Sequence, residues 1–326
     1  MTTLIIGGTG FIGRAIADEL RARDRSARVM SRSVPESPLG DDVSHTVGDV
    51  TTGEGLAEAL VDCDGLVFVA GREDLPLLPP GDRDGDAMFE ANVRGTSRTL
   101  VAAREAGVRQ AVVITSCTAY GMVGDGERLD GEEPVGVIGL RNPYVLSRVQ
   151  QELAALETAR PDFRVTCAAP TAVVGAGDDK FFGPLVHAIA RRAFPVAPRG
   201  GFNFIPAGDV AVGVANLLGG AGVRPRYLFA GENMTYKALI EIVSEQLDQA
   251  PPRRVIEPGL LRAASHGITL MGLATGRTLG MTAANISDRL NRHVYYDPRL
   301  AVTELDLPQS PVREAIAEAV RSMQLT

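Results

Sequence analysis

The sequence has no tryptophan, only three cysteines and only two lysines among its 326 residues. The three cysteines, Cys63, Cys117 and Cys167, lie in or beside apolar runs and show no metal-ligand spacing. This pattern predicts buried free thiols in a reducing compartment and no metal site. Because arginine supplies 31 of the 33 basic residues and the net charge is −7, the chain offers no lysine cluster or basic stripe. The composition therefore argues against a nucleic-acid partner and favours small molecules.

Long hydrophobic runs are also missing. The longest apolar stretch, residues 259–284, is interrupted by Arg262, His266 and Arg277, so it lacks the roughly 20 consecutive apolar residues that a membrane span needs. It could instead cover a substrate. The first apolar strand pattern begins at residue 3, which leaves no room for a secretory signal before it. We therefore expect a cytoplasmic protein with no membrane span, long enough for one large and one smaller domain.

The glycine-rich run at residues 7–13, GGTGFIG, separates an apolar strand pattern from a helical pattern. Gly7 permits a sharp turn, Gly10 lets a pyrophosphate approach the backbone, and Gly13 lets the helix lie close to the strand. The first helical N–H groups, around Phe11 and Ile12, add an anion site. An ordinary tight turn is the alternative, but the position directly after a first strand favours dinucleotide binding.

The ends of the next strands predict which dinucleotide binds. A second strand at 27–30 is followed by Ser31 and Arg32, with no acidic residue to bind a ribose 2′-hydroxyl. A hydroxyl and a guanidinium at this position favour a 2′-phosphate, so we predict NADP(H) as the cofactor and NAD(H) as the less favoured one. Asp49 and Val50 are expected to flank the adenine ring.

Strand and helix patterns alternate up to residue 170 and predict a doubly wound parallel sheet of the Rossmann type. The buried strand at 65–71 ends in Ala70 and Gly71, which we expect to pass beneath the cofactor. Pro170, which closes a later strand, is a further expected cofactor contact.

Beyond residue 170 glycine and proline interrupt the pattern. We assign residues 1–170 to a dinucleotide-binding domain to which 202–220 return. Residues 171–326 are assigned mainly to a smaller α/β substrate-binding domain.

Three side chains could act on a carbonyl or an alcohol. Ser116 follows the strand at 111–115, and Tyr144 and Arg148 lie one turn apart at the start of a helix. A cation beside a phenol favours the phenolate, so Tyr144 could move a proton while Ser116 binds the substrate oxygen. The spacing of Tyr144 and Arg148 taken alone is more typical of an exposed helix face, but both Ser116 and Tyr144 fall at the strand ends that converge on the cofactor crevice.

Together these stretches resemble the extended short-chain dehydrogenases/reductases of the NAD-dependent epimerase/dehydratase superfamily. The similar branch contains dihydroflavonol reductases, 3β-hydroxysteroid dehydrogenases and hopanoid-associated sugar epimerases. The motifs that carry the resemblance are residues 7–13, 48–50, 92–96, 116–121, 143–152, 201–204, 209–211 and 231–233. The resemblance implies that Ser116 is the active-site hydroxyl, Tyr144 the acid/base and Asn92 a residue near the proton path. It also implies a possible homodimer through the helices at 85–106 and 145–156.

Arg148 stands where that family has a lysine. Arginine keeps the positive charge but is never deprotonated in proteins, so it cannot pass on a proton. Either an arginine-rich composition replaced the lysine in a working reductase, or redox turnover has been relaxed. The sequence favours the first interpretation because Ser116, Tyr144 and Asn92 are all present. Two further departures are Ala169, where the family often has arginine, and Pro206, where histidine is common.

Three functions follow from these observations. The first is an NADP(H)-dependent oxidoreductase acting on a ketone or alcohol of a mainly apolar metabolite. The second is a nucleotide-sugar epimerase or dehydratase, for which basic groups would have to bind a diphosphate. The third is a cofactor-binding protein with relaxed or non-redox activity. Apolar pocket candidates are Leu75, Leu77, Phe181, Phe182, Phe202, Phe204 and the segment 259–284, and basic candidates are Arg191, Arg192, Arg199 and Lys180.

Overall fold

A computed structural model describes residues 2–35, 39–40, 43–72, 85–121, 128–129, 143–257, 259–260 and 290–323. Its main sheet has seven strands, all paired in parallel: β1 Thr2–Ile6, β2 Ser26–Ser31, β3 Val43–Val47, β4 Gly65–Phe68, β5 Gln110–Ile114, β7 Arg164–Pro170 and β10 Arg226–Phe229. The strand order is β10-β7-β5-β4-β1-β2-β3. The order reverses between β1 and β4, which confirms the predicted doubly wound sheet and places a binding crevice at the carboxyl ends of these strands.

Some of the helices cover both faces of the main sheet and others pack against a smaller sheet. The helices are α1 Phe11–Ala22, α2 Leu56–Ala59, α3 Gly85–Phe89, α4 Gly95–Glu105, α5 Pro143–Glu157, α6 Phe182–Ala190, α7 Ala207–Leu218, α8 Tyr236–Gln246, α9 Arg299–Leu305 and α10 Val312–Ser322. Apolar residues of α1, α7 and α9 form one buried layer with the sheet, and those of α2, α4 and α5 form the other. In α1 the buried positions Ile16, Ala17 and Leu20 lie on one helical face, as the sequence pattern predicts.

The second half of the chain adds a smaller sheet that the sequence patterns missed. It has the order β11-β9-β8, formed by β8 Ala172–Val174, β9 Gly201–Pro206 and β11 Glu232–Thr235. A two-stranded pair joins β6 Arg128–Leu129 to β12 Tyr295–Tyr296. Apolar residues of α6, α8 and α10 pack against the smaller sheet and form a second core.

The two parts of the chain are interleaved. Helix α7 packs against α1, β10 pairs with β7, and α9 packs against β10 and α7. The main sheet and its helices therefore include β10 and α9 as well as α7, which lies within the segment 202–220.

The predicted helix at 85–106 is divided by a π-helical turn, Glu90–Arg94, between α3 and α4. Such turns place one extra residue in the helix and often occur at functional sites. Here the turn contains Asn92, whose side chain is completely buried.

Some sequence-based expectations fall outside the described residues. These are the pocket candidates Leu75 and Leu77, and the segment 259–284 apart from its first two residues. Within the described part of the chain, no helix is both long enough and apolar enough to cross a membrane.

Candidate functional site

One cavity of about 1840 Å³ lies at the carboxyl ends of the main-sheet strands and continues toward the smaller sheet. Ser116, Tyr144 and Arg148 line it, whereas Asn92 does not. The structure also places every expected cofactor contact on its wall: Gly7, Gly10, Phe11, Ile12, Gly13, Ser31, Arg32, Asp49, Val50, Ala70, Gly71 and Pro170. Residues that are far apart in the sequence are therefore brought to one site.

The glycine turn after β1 has the geometry of a phosphate cradle. Gly7 has φ +84°, a left-handed conformation that glycine adopts without strain. A Cβ at Gly13 would lie 2.3 Å from the carbonyl oxygen of Gly7, so only glycine lets α1 start this close to the strand. Gly10 caps α1, and the N–H groups of its first turn have no partner within the helix. The cavity-lining residues at this helix start therefore fit the pyrophosphate of a dinucleotide.

At the far end of the cavity, Ser31 ends β2 and Asp49 follows β3. The Ser31 hydroxyl donates to the carbonyl of Ser33 at 2.8 Å and lies 2.8 Å from Nε2 of His45. Burial raises the pKa of Asp49, but hydrogen bonds from Thr51 and the nearby Arg32 and Arg98 outweigh burial and leave that pKa below its usual range. This end of the cavity therefore combines hydroxyl, guanidinium and carboxylate groups, and the His45 imidazole contacts the hydroxyl from outside the cavity.

Helix α5 brings Tyr144 and Arg148 together. The guanidinium carbon of Arg148 lies 5.2 Å from the centre of the Tyr144 ring, within cation–π range. Arg148 is only 3% exposed and donates to Oε1 of Gln151 at 2.9 Å. A Cβ at Gly71 would meet its Nη2 at 2.9 Å. The cation is therefore held between Gly71 and the tyrosine ring, at the cavity wall.

Asn92 supports this arrangement from behind. Its Oδ1 accepts from the backbone N–H of Arg72 at 2.8 Å, and its Nδ2 donates to the Arg72 carbonyl and to Oγ of Ser147, both at 3.0 Å. These bonds join the segment after β4 to α5. Asn92 therefore fixes Arg72 relative to α5 next to Gly71, and its side chain does not reach the cavity wall.

The sequence analysis did not single out Thr118, whose backbone N–H and hydroxyl lie 3.3 and 3.0 Å from Oγ of Ser116. With these two groups donating, the Ser116 hydroxyl keeps its own proton available for an oxygen in the cavity. Both residues line the cavity. A hydroxyl two residues after a serine is a local pattern that could have indicated Thr118.

Glu152 lies one turn beyond Arg148 on α5, away from the cavity wall. Thr115 donates to its Oε2 at 3.2 Å, and Arg226 on β10 forms an ion pair with it at 3.3 Å. Burial raises the pKa of Glu152, although Arg226 and Thr115 oppose that shift. This carboxyl group therefore links α5 to two strands of the main sheet and is not part of the cavity.

The part of the cavity near the smaller sheet is apolar. Of the predicted pocket residues, Phe181, Phe202 and Phe204 line it, whereas Phe182 is fully buried in the second core. The lining also includes Leu185, Phe194, Pro198, Leu239, Ile240, Leu290, Val294 and Tyr296, which the sequence analysis did not identify. We call these apolar lining residues the apolar chamber.

Charges on the described lining after residue 170 are mostly acidic. Two basic residues, Lys180 and Arg321, contrast with five acidic ones: Asp178, Asp179, Asp209, Glu314 and Glu318. Arg191, Arg192 and Arg199 are not on the cavity wall. Of the four basic residues considered as diphosphate ligands, only Lys180 lines the cavity.

Two relatives with known names match most of the chain. A Synechocystis protein provisionally named dihydroflavonol 4-reductase is 28% identical, over 98% of this chain and 94% of its own. Sterol demethylase protein B of Methylococcus capsulatus is 29% identical, over 83% of this chain and 81% of its own.

Solved structures agree in fold over nearly the whole chain. The crystal structure of gox2253 superposes with a TM-score of 0.83 at 27% identity and covers 99% of this chain and 98% of its own. MoeE5 in complex with UDP-glucuronic acid and NAD superposes with a TM-score of 0.73 at 21% identity and 99% coverage of both chains, which shows a shared fold.

A protein-family model matches the part of the chain that contains most of the site residues. The model for the NAD-dependent epimerase/dehydratase family matches residues 3–214, well over half of the chain. That span begins in β1, contains the glycine turn, Ser116 and Tyr144, and ends within α7. The chain therefore belongs to the NAD-dependent epimerase/dehydratase family, whose members bind NAD(H)-type cofactors.

Proposed function

We propose that this protein is an NADP(H)-dependent oxidoreductase that reduces a ketone, or oxidises the corresponding alcohol, of a mainly apolar small molecule. The observation that carries the proposal is that Ser116, Tyr144 and Arg148 share one cavity wall with both the glycine turn and the apolar chamber. A nicotinamide cofactor, when bound at that turn, supplies or accepts the hydride.

The protein's own groups would handle the substrate oxygen and its proton. Ser116 donates a hydrogen bond to the oxygen, since Thr118 already occupies its acceptor positions. Tyr144 donates the proton during reduction and takes it back during oxidation. Arg148 stays charged throughout and favours the phenolate by its position over the ring. It orients Tyr144 and cannot itself relay a proton.

The choice of NADP(H) rests on the end of β2. Ser31 and Arg32 line the cavity where the adenosine ribose would lie, and neither is acidic. An aspartate or glutamate at this place would repel a 2′-phosphate, whereas Arg32 provides a guanidinium for it.

The apolar chamber supports an apolar substrate over a nucleotide sugar. Five acidic and two basic residues on the described lining after residue 170 create a negative environment, which is unfavourable for a diphosphate. The names of the two relatives refer to a dihydroflavonol and a sterol, and both compounds contain fused rings with apolar faces. A ring compound of this kind would bury its apolar surface against Phe181, Phe202 and Phe204.

We further propose a homodimer in the cytoplasm. Large apolar side chains remain exposed on α4 and α5, with Val101 and Leu146 each 37% and Leu153 49% exposed. A two-fold contact through these helices would bury them. The three buried, unbridged cysteines are compatible with a reducing compartment.

The deciding experiment measures dinucleotide binding by calorimetry, followed by NADPH oxidation with a panel of apolar ketones. We expect NADPH to bind in the micromolar range and one or more cyclic ketones to be reduced. Failure of both NADPH and NADH to bind at millimolar concentration would refute the proposal. NAD that remains bound through purification, together with conversion of a nucleotide sugar, would favour the epimerase alternative.

A further inference from the structure

Ser31, at the end of β2, contacts a histidine, His45, that has no role in the proposed function. Oγ of Ser31 lies 2.8 Å from Nε2 of His45 and also donates to the Ser33 carbonyl at 2.8 Å. Ser31 lines the cavity, whereas the half-buried His45, on the neighbouring strand β3, does not. The imidazole therefore contacts the cavity through the serine hydroxyl.

We propose that His45 is a specificity-determining residue that makes the preference for NADP(H) over NAD(H) depend on pH. The inference rests on the proposed binding of a dinucleotide, with its adenosine ribose at the end of β2. His45 is then a positioning group that acts through Ser31, and its charge acts on the 2′-phosphate through space.

The first part of the argument concerns the single proton of the Ser31 hydroxyl. A neutral imidazole accepts the Ser31 proton at Nε2 when its own proton is on Nδ1, and donates to Oγ when its proton is on Nε2. An imidazolium can only donate at Nε2, so protonation removes the first of these two states. The Ser31 hydroxyl then donates to the Ser33 carbonyl, as in the structure. It can rotate to donate to a phosphate oxygen of a bound cofactor. A ribose 2′-hydroxyl both donates and accepts, so it can bond to Ser31 in either state.

The second part concerns charge. Histidine is the side chain whose charge ordinarily changes between pH 5 and 8. The charged residues that line the cavity on the elements around Ser31 are Arg32 after β2, Asp49 after β3, and Arg14 and Asp18 on α1, which packs against β2. Arginines and carboxylates keep their charges across this range. Of the groups named, only His45 gains a positive charge beside the 2′-phosphate as the pH falls.

The phosphate itself also titrates, with a second ionisation near pH 6. Its protonation weakens the attraction to Arg32 and opposes the effect of His45 at the acidic end. A variant that keeps the hydrogen bond to Ser31 but does not titrate separates the two contributions. His45→Gln provides this control, since its amide can donate to Oγ and carries no charge.

The test compares the dissociation constants of NADP⁺ and NAD⁺ from pH 5.5 to 8.5 at constant ionic strength. In the wild type we expect the ratio Kd(NAD⁺)/Kd(NADP⁺) to rise about three- to tenfold as the pH falls from 8 to 6.3. In His45→Gln we expect that rise to disappear. Equal pH profiles for wild type and variant would overturn the proposal.

A second measurement needs no variant. By linkage, NADP⁺ should change the pH dependence of the His45 ring signals, measured by NMR, and NAD⁺ should not change it. The same pH dependence with both dinucleotides would overturn the inference and leave the proposed function intact. If neither dinucleotide binds at any pH, the proposed function itself fails.

Discussion

Replacing Gly71 with alanine would place a methyl group against the buried guanidinium of Arg148. The added Cβ would lie 2.9 Å from Nη2, 3.1 Å from Nη1 and 3.1 Å from Oδ1 of Asn92. Favourable contacts need about 3.5 Å, so these groups would have to move by about half an ångström. Neither is free to do so, because Arg148 is bonded to Gln151 and Asn92 to the backbone of Arg72.

Overpacking of this kind costs about 1 to 3 kcal/mol. For a domain of this size, such a loss lowers Tm by roughly 2 to 8 °C. Thermal unfolding of the protein without ligand measures it directly. Gly208→Ala is the matched control, since a Cβ there would meet nothing within 4 Å and alanine favours the helix by up to about 1 kcal/mol.

A double variant tests whether the clash is with Arg148. Lysine at 148 removes both guanidinium nitrogens that the methyl group meets. In an Arg148→Lys background, Gly71→Ala should therefore lower the free energy of unfolding by about half as much. A cost that is the same in both backgrounds would refute the placement of the guanidinium against Gly71, and so would an unchanged Tm in Gly71→Ala alone.

Further predictions concern catalysis, pH and assembly. Tyr144→Phe should lower kcat at least about 100-fold and change the Kd of NADPH less than threefold; undiminished turnover would remove the phenol from the mechanism. Thr118→Val should lower kcat by about three- to thirtyfold because Ser116 loses a donor, and Thr118→Ser should restore it. Because burial raises the pKa of Glu152, the folded protein holds this proton more tightly than the unfolded chain. The free energy of unfolding in urea should therefore fall relative to Glu152→Gln as the pH rises from about 4.5 to 7; a relative gain would contradict this. Leu153→Glu should convert a dimer to a monomer in light scattering with NADPH binding retained, and an unchanged mass would exclude this interface.

The sequence allowed prediction of the main sheet and its glycine turn because both depend on local patterns. Buried parallel strands are continuous apolar runs, and the turn needs glycine at fixed offsets for steric reasons. Ser116 and Tyr144 could be placed in one crevice because the carboxyl ends of parallel strands meet at one edge. Their roles stay predictions, as does that of Asn92.

Features that depend on distant residues could not be predicted. The strands of the smaller sheet are only three to six residues long, and β9 pairs with β11 across more than twenty intervening residues. The acidic lining of the cavity comes partly from Glu314 and Glu318 on α10, about 200 residues after Ser116. The Ser31–His45 contact likewise follows from strand pairing and not from a sequence motif.

The pairing of β10 with β7 has a consequence for biosynthesis. A nascent chain released only as far as residue 170 would carry β7 as a bare edge, with its hydrogen-bonding groups open to other chains. That edge is covered only after Phe229 has left the ribosome, and the apolar surface of β10 only after α9, at 299–305, has followed. The main sheet is therefore completed late in synthesis, and a fragment ending at residue 170 should aggregate when expressed alone.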